Sequence, residues 1–135
     1  MTRELLEEYT YKKMEICDLE NAVYALNGNS AMIARDTVLD YRKGYPAPTA
    51  VIGIDWEKVD RIERQCENRI AVLKRECEEI EIFIEAIEDS LTRRIFRLHY
   101  IDGLPQSKIA KRLKVSQSVV SKKITLFFRI YLEQV

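Results

Sequence analysis

The sequence predicts an all-α fold: long coiled-coil-like helices, arranged as a helical hairpin or a dimer bundle, then a C-terminal bundle of three short helices. Three observations predict it. Apolar residues recur at three- and four-residue steps along most of the chain. Only four Gly and three Pro interrupt 135 residues. Capping and turn signals crowd between Ser90 and Ser116, where short helices must start and stop.

Residues 3–26 read as the first helix. Leu5, Tyr9, Ile16, Leu19, Val23 and Leu26 form one stripe, and Lys12 fills the missing step by laying its stem along it. Asn27-Gly28-Asn29 is expected to stop this helix, because Asn and Gly tolerate the left-handed conformation of a C-cap. Residues 28–54 are expected to form an irregular linker. Within it, Ala31 to Tyr41 suits a short helix with Ser30 as N-cap and Met32, Ile33, Val38 and Leu39 as apolar positions. Gly44-Tyr45-Pro46-Ala47-Pro48 cannot continue a helix. Val51, Ile52 and Ile54 are expected on a neighbouring helix.

The longest element is expected from Trp56 to Glu88, with Asp55 as N-cap and Glu57 and Asp60 at the positive end of the helix dipole. Val59, Ile62, Cys66, Ile70, Leu73, Cys77, Ile80, Ile84 and Ile87 are spaced 3, 4, 4, 3, 4, 3, 4 and 3. From Cys66 onward this is the alternation of a coiled-coil seam, and the consecutive fours before it resemble a stutter. The stripe either packs on the N-terminal helix of its own chain or also joins two chains. The candidate oligomerisation residues are Val59, Ile62, Ile70, Leu73, Cys77, Ile80, Ile84 and Ile87. Glu76, Glu78, Glu79, Glu81, Glu85, Glu88 and Asp89 read as a solvated acidic face rather than a site.

Charge divides the chain more sharply than its net of zero suggests. Residues 91–135 hold ten Lys/Arg and two Asp/Glu, a balance of +8; residues 1–90 hold twelve and twenty, a balance of −8. A cationic head on an acidic support points to a polyanion partner for the head. Domain boundaries are accordingly expected at 1–89, a helical oligomerisation region, and 90–135. No apolar run of about 18 residues suggests a membrane span, and MTRELLEEYTYKK lacks an apolar signal core. Cys17, Cys66 and Cys77 are odd in number and lack CxxC spacing, which suits reduced thiols and a cytoplasmic protein. Cys66 and Cys77 on one helix would stand about 16 Å apart, too far to pair.

The head carries the functional signal. Ser90 is expected to cap a helix that turns Leu91, Ile95, Leu98 and Phe96 inward, and Asp102-Gly103 to end it. Pro105 suits the start of the next helix, whose inner face is Ile109, Ala110 and Leu113. Lys114-Val115 makes the turn and Ser116 caps the third helix, whose inward residues are Val120, Ile124, Phe127, Phe128 and Tyr131. This is a helix-turn-helix pattern, whose second helix fits the major groove of duplex DNA. Helical geometry directs Ser118, Ser121, Lys122, Thr125 and Arg129 outward, with Gln117 at the first turn. Gln117, Ser118, Ser121, Lys122 and Thr125 are the candidate base-reading residues. Lys108, Lys111, Arg112, Lys123 and Arg129 are the candidate phosphate contacts. Arg93, Arg94 and Arg97 either extend that track or pair with the acidic helix.

The stretch LTRRIFRLHYIDGLPQSKIAKRLKVSQSVVSKKI resembles the DNA-binding region four of bacterial sigma factors. The similarity lies in Leu91, the Tyr100-Ile101-Asp102-Gly103-Leu104 turn, Ile109-Ala110, Leu113, Val115-Ser116 and Val120-Ser121, and covers about a third of the chain. The resemblance implies that the third helix reads promoter DNA. That family often places Gly at the turn where this chain has Lys114, a residue that costs about 1 kcal/mol or more in the left-handed conformation. The chain also resembles small transcription regulators, often phage- or prophage-encoded, that join a helical N-terminal part to such a head.

The sequence-level expectation is therefore a dimeric, sequence-specific DNA-binding regulator of transcription. Two other readings stand beside it. One is a DNA-packaging recognition subunit similar to phage small terminase subunits, which usually place the head first. The other is an adaptor that binds RNA polymerase or another factor without reading DNA. An enzyme is the least supported class: His99 has no placed nucleophile, and there is no phosphate-cradling Gly loop, metal-ligand cluster or HExxH. No cofactor is implied. Trp56 is expected to anchor the linker rather than bind a ligand.

Overall fold

The structure, a computed structural model, describes the backbone of residues 1–39 and 55–134 and the side chains of residues 1–27 and 55–131. Among the described residues the chain is all-helical, with no strand. The elements are α1 (Arg3–Glu7), α2 (Tyr9–Leu39), α3 (Trp56–Glu85), α4 (Ser90–Phe96) continued by a π-helical turn (Arg97–Ile101), α5 (Gln106–Leu113) and α6 (Gln117–Gln134). They form two compact units, residues 1–14 with 74–135, and residues 15–73.

The N-terminal helix departs from the pattern in two places. It is broken at Glu8, and Leu6, three residues before the buried Tyr9, is fully buried whereas the expected Leu5 is exposed. Thr2 caps α1 by accepting the Leu5 N–H at 3.2 Å. The stop at Asn27-Gly28-Asn29 does not occur, and α2 runs through those residues to Leu39. Interior Gly and Asn cost roughly 1 kcal/mol or less each relative to Ala. The backbone hydrogen bonds kept by a continuous helix through Ser30-Ala31-Met32 outweigh that. The side chains of the expected Ser30 cap and of Met32, Ile33, Val38 and Leu39 lie outside the described residues, as do Gly44 to Pro48, Val51, Ile52 and Ile54.

In the unit of residues 1–14 with 74–135, α2 starts beside α3 and runs antiparallel to it. Tyr9 donates its hydroxyl proton to Glu81, and Lys12 pairs with Glu76 at 3.0 Å and Glu8 at 3.6 Å. Burial, and then the neighbouring Glu81 carboxylate, push the Tyr9 phenol above its usual range. Burial pulls Lys12 down, but Glu76 and Glu8 outweigh it and raise its pKa. Lys12 thus fills the stripe as its pattern suggested. Cys77, Ile80, Ile84 and Ile87 are buried here with Leu6 and Tyr9. Burial also raises the Cys77 thiol.

The three C-terminal helices are packed by an aromatic cluster. Phe96 is fully buried, with its ring 4.7 Å from Phe127, 5.6 Å from Phe128 and 5.3 Å from Tyr100. Phe83, at the end of α3, meets Phe127 and Tyr131 edge-on at 6.0 and 5.3 Å. Ile95, Ile109, Val120 and Ile124 fill the space between the helices, and Ala110 is buried where α5 crosses α6.

α3 ends at Glu85, three residues before the expected boundary, and Asp89 rather than Ser90 caps α4. Its carboxylate accepts both the Thr92 N–H at 3.0 Å and the Thr92 hydroxyl at 2.6 Å. A carboxylate is a stronger acceptor than a Ser hydroxyl, which decides between adjacent candidates. At the other end, Gly103 has φ 72° and ends the π-helical turn, with the Leu104 N–H reaching Leu98 O at 3.0 Å.

In the unit of residues 15–73, α2 and α3 make up the described part. Asn27 donates to Glu63 at 3.2 Å. Ile16 and Leu73 are buried; Leu19, Val23, Leu26, Val59, Cys66 and Ile70 are half-buried; Ile62 is exposed.

Candidate nucleic-acid interface

The turn between α5 and α6 sets the direction of α6. Lys114 closes α5 at φ 58°, ψ 41°, the left-handed conformation its place between two helices requires. It is the one non-Gly residue with positive φ among those described. The Val115 N–H returns to Ala110 O at 3.0 Å, which satisfies a carbonyl left open at the helix end. Ser116 then caps α6, its hydroxyl accepting from the Val119 N–H at 3.3 Å. At the other end of α5, the Pro105 carbonyl accepts from Lys108 and Ile109 at 3.0 and 3.1 Å, so the missing Pro N–H costs nothing there.

With Val120, Ile124 and Phe128 buried, the opposite side of α6 faces outward. Gln117, Ser118, Ser121, Lys122 and Thr125 are all exposed, as is Arg129. Ser118 shares a hydrogen bond with Ser116 at 3.0 Å. On α5, Lys108, Lys111 and Arg112 are exposed. The candidate base-reading residues are therefore all accessible, four along α6 and Gln117 at its first turn, and three of the five candidate phosphate residues lie on the preceding helix. Lys123 does not join them. It is half-buried on another flank of α6, 3.8 Å from Asp89.

The acidic face of α3 does more than meet solvent. Glu81 and Glu76 hold the start of α2, and Lys13 stands 3.7 Å from Glu81. Glu85 pairs with Arg97. Arg93 donates to the Ile87 carbonyl at 2.7 Å. Two of the three arginines at the start of the head are thus engaged beside the end of α3. Sequence spacing could not reveal these pairs, since each joins residues on different elements.

A second feature escaped the sequence reading. Leu126 and Ile130, on the Lys123 flank of α6, are 49% and 46% exposed. They border a groove of about 600 Å³ lined also by Phe83, Ala86, Ile87 and Tyr131. Helical spacing placed these two residues off the inward stripe, and two exposed apolar residues one turn apart were the available signal.

His99 accepts a structural role: its Nδ1 lies 3.0 Å from Leu104 O, in the turn that ends at Gly103. Among the described residues there is no group of three or more His, Cys, Asp or Glu placed to hold a metal ion. No described helix is long and apolar enough to cross a membrane. No known protein family, curated protein or solved structure matches the chain.

Proposed function

We propose that the chain is a sequence-specific DNA-binding regulator of transcription that acts as a dimer, with α5, the Lys114-Val115 turn and α6 as a helix-turn-helix. The observation that carries this reading is that Ser118, Ser121, Lys122 and Thr125 are exposed along α6 off its buried stripe, with Gln117 exposed at its first turn. A helix presented in this way fits the major groove, where amide, hydroxyl and ammonium groups reach base edges. Gln117 offers a donor and an acceptor to adenine, Lys122 a donor to guanine, and the hydroxyls of Ser118, Ser121 and Thr125 adapt to several bases. Lys108, Lys111 and Arg112 meet phosphates and fix the register without reading sequence. The charge balance of +8 over residues 91–135 draws the head to a duplex. Of the candidate oligomerisation residues, Leu73, Cys77, Ile80, Ile84 and Ile87 are buried within the chain itself, so Val59, Ile62 and Ile70 are those left for a contact between copies. Resemblance to sigma region four favours a promoter-type target.

The test is a selection from randomised duplexes, followed by binding of the selected sequence to the Gln117→Ala/Lys122→Ala double variant. The variant weakens binding and relaxes base preference at two or more positions, since each good base contact is worth about 1–3 kcal/mol of discrimination. Unchanged affinity and sequence choice in that variant contradict the assignment of α6.

One observation favours a second reading, an adaptor that docks on a protein such as RNA polymerase. It is the apolar groove beside Leu126 and Ile130, which lies off the row of polar residues. Leu126→Asp abolishes partner binding in that case and leaves DNA binding alone.

A further inference from the structure

We propose that the Lys114 ammonium meets a phosphate of the duplex from the turn between α5 and α6. The proposal rests on the DNA reading above and adds to it a contact outside the residues assigned so far.

The backbone at Lys114 is strained. Its φ of 58° and ψ of 41° make it the one non-Gly residue with positive φ among those described. Glycine adopts this conformation freely, whereas a β-carbon there crowds the following carbonyl oxygen. The turn does not need the side chain. Its closing bonds run from the Lys114 N–H to Lys111 O at 3.4 Å and from the Val115 N–H to Ala110 O at 3.0 Å, and glycine would keep both. The Lys114 side chain is exposed, and it is in no ion pair among the described residues. A cation does gain from the negative end of a helix. α5 already carries Lys111 and Arg112 in its last turn, and an exposed charge there returns less than a left-handed side chain costs. The fold therefore holds Lys114 at a net loss. Strain of this kind persists where the strained residue serves a function.

The surroundings name the ligand. Lys108, Lys111 and Arg112 are exposed on α5 before the turn, and Gln117 and Ser118 are exposed at the start of α6 after it. Lys114 thus stands between the helix assigned to phosphates and the helix assigned to base edges. No Asp or Glu occurs between Gly103 and Leu132, so neither flanking helix offers the ammonium a carboxylate up to that point. An ammonium on a flexible stem acts as a point charge, which suits a phosphate and reads no sequence.

Fluorescence anisotropy of the full chain on its selected duplex and on a scrambled one, across a range of salt, tests the proposal. Lys114→Gly and Lys114→Gln each lower the slope of log affinity against log salt by about one per head. At about 0.15 M salt this is about a fivefold loss of affinity per head, equal on both duplexes. Lys114→Arg keeps the wild-type slope. Lys114→Gly melts no lower than the wild type, so its weaker binding does not come from unfolding. If both neutral variants keep the wild-type slope, the proposal is overturned, and the steep salt dependence of the wild type leaves the DNA reading standing. A loss confined to the selected duplex also overturns it, because Lys114 would then read a base. A lower melting point for Lys114→Gly overturns it too, by revealing a partner within the chain. A wild type that binds no duplex overturns the DNA reading and this proposal together.

Discussion

Ile62 and Ile84 share one apolar stripe on one helix, yet Ile62 is 37% exposed and Ile84 is fully buried. Their spacing along α3 follows the same rule of threes and fours. What differs is the company each stretch keeps. In the unit that holds Ile84, Phe83 meets Phe127 and Tyr131 of α6, Tyr9 of α2 bonds Glu81, Arg93 of α4 bonds the Ile87 carbonyl just after α3, and Arg97 of the π-helical turn pairs with Glu85. In the unit that holds Ile62, the described neighbour is α2 alone. Periodicity marks which face of a helix is apolar; the number of elements packed on that face decides how far water is excluded from it.

The largest test of this comparison is a pair of truncations. Ile84→Ala removes methylenes from a closed core and destabilises the chain by about 2–5 kcal/mol. Ile62→Ala costs under about 1 kcal/mol at concentrations where the chain is monomeric, because that side chain already meets water. Denaturant unfolding of both variants checks the prediction, and equal losses break the comparison. A smaller effect comes from Asp89→Ala, which removes the cap that starts α4 over the covered half. It lowers Tm by a few degrees, roughly what one lost cap does to a domain of this size.

That loss depends on pH with a definite sign. The Thr92 hydroxyl and then the Thr92 N–H hold the Asp89 carboxyl below its usual range. A depressed carboxyl stabilises the fold fully above its unfolded pKa, near 3.9. The contribution fades as pH falls through the lower folded value, so wild type and Asp89→Ala converge in acid. Melting both proteins across the range from neutral to strongly acidic pH checks this; a gap that stays constant contradicts it. The smallest change is Lys114→Gly, which relieves the left-handed strain at the turn and pays back part of it as unfolded-chain entropy. It stabilises the chain by up to about 1 kcal/mol and leaves the dimer unaltered; a loss of stability would show that the Lys114 side chain holds something in place.

The head was more legible than the support. Ser116, Lys114, Gly103 and Pro105 each carry a local signal, and each stands in the role that signal assigned. Local signals failed where a long helix could absorb them. Gly28 sits inside α2 because one Gly is a small penalty against a continuous hydrogen-bond ladder. Leu6 is buried in place of Leu5 because a residue three before Tyr9 and one four before it fit helical spacing equally well, and spacing alone does not choose between them. At the candidate interface, the exposed row on α6 followed from the position of Val120. The capture of Lys123 by Asp89 did not, because it depends on how α6 lies against the turn before α4. Contacts between elements distant in sequence have no signature in spacing.

The claim on which the function turns is that the outward side of α6, with the basic side of α5, lies along duplex DNA. Titrating salt into a complex of the wild-type chain with its selected duplex, followed by fluorescence anisotropy, tests it most directly. Lys108, Lys111 and Arg112 on phosphates would release counterions, so by their share alone the logarithm of affinity falls by roughly three for each tenfold rise in salt for one head. Binding that is flat with salt, or absent even at low salt, contradicts the account.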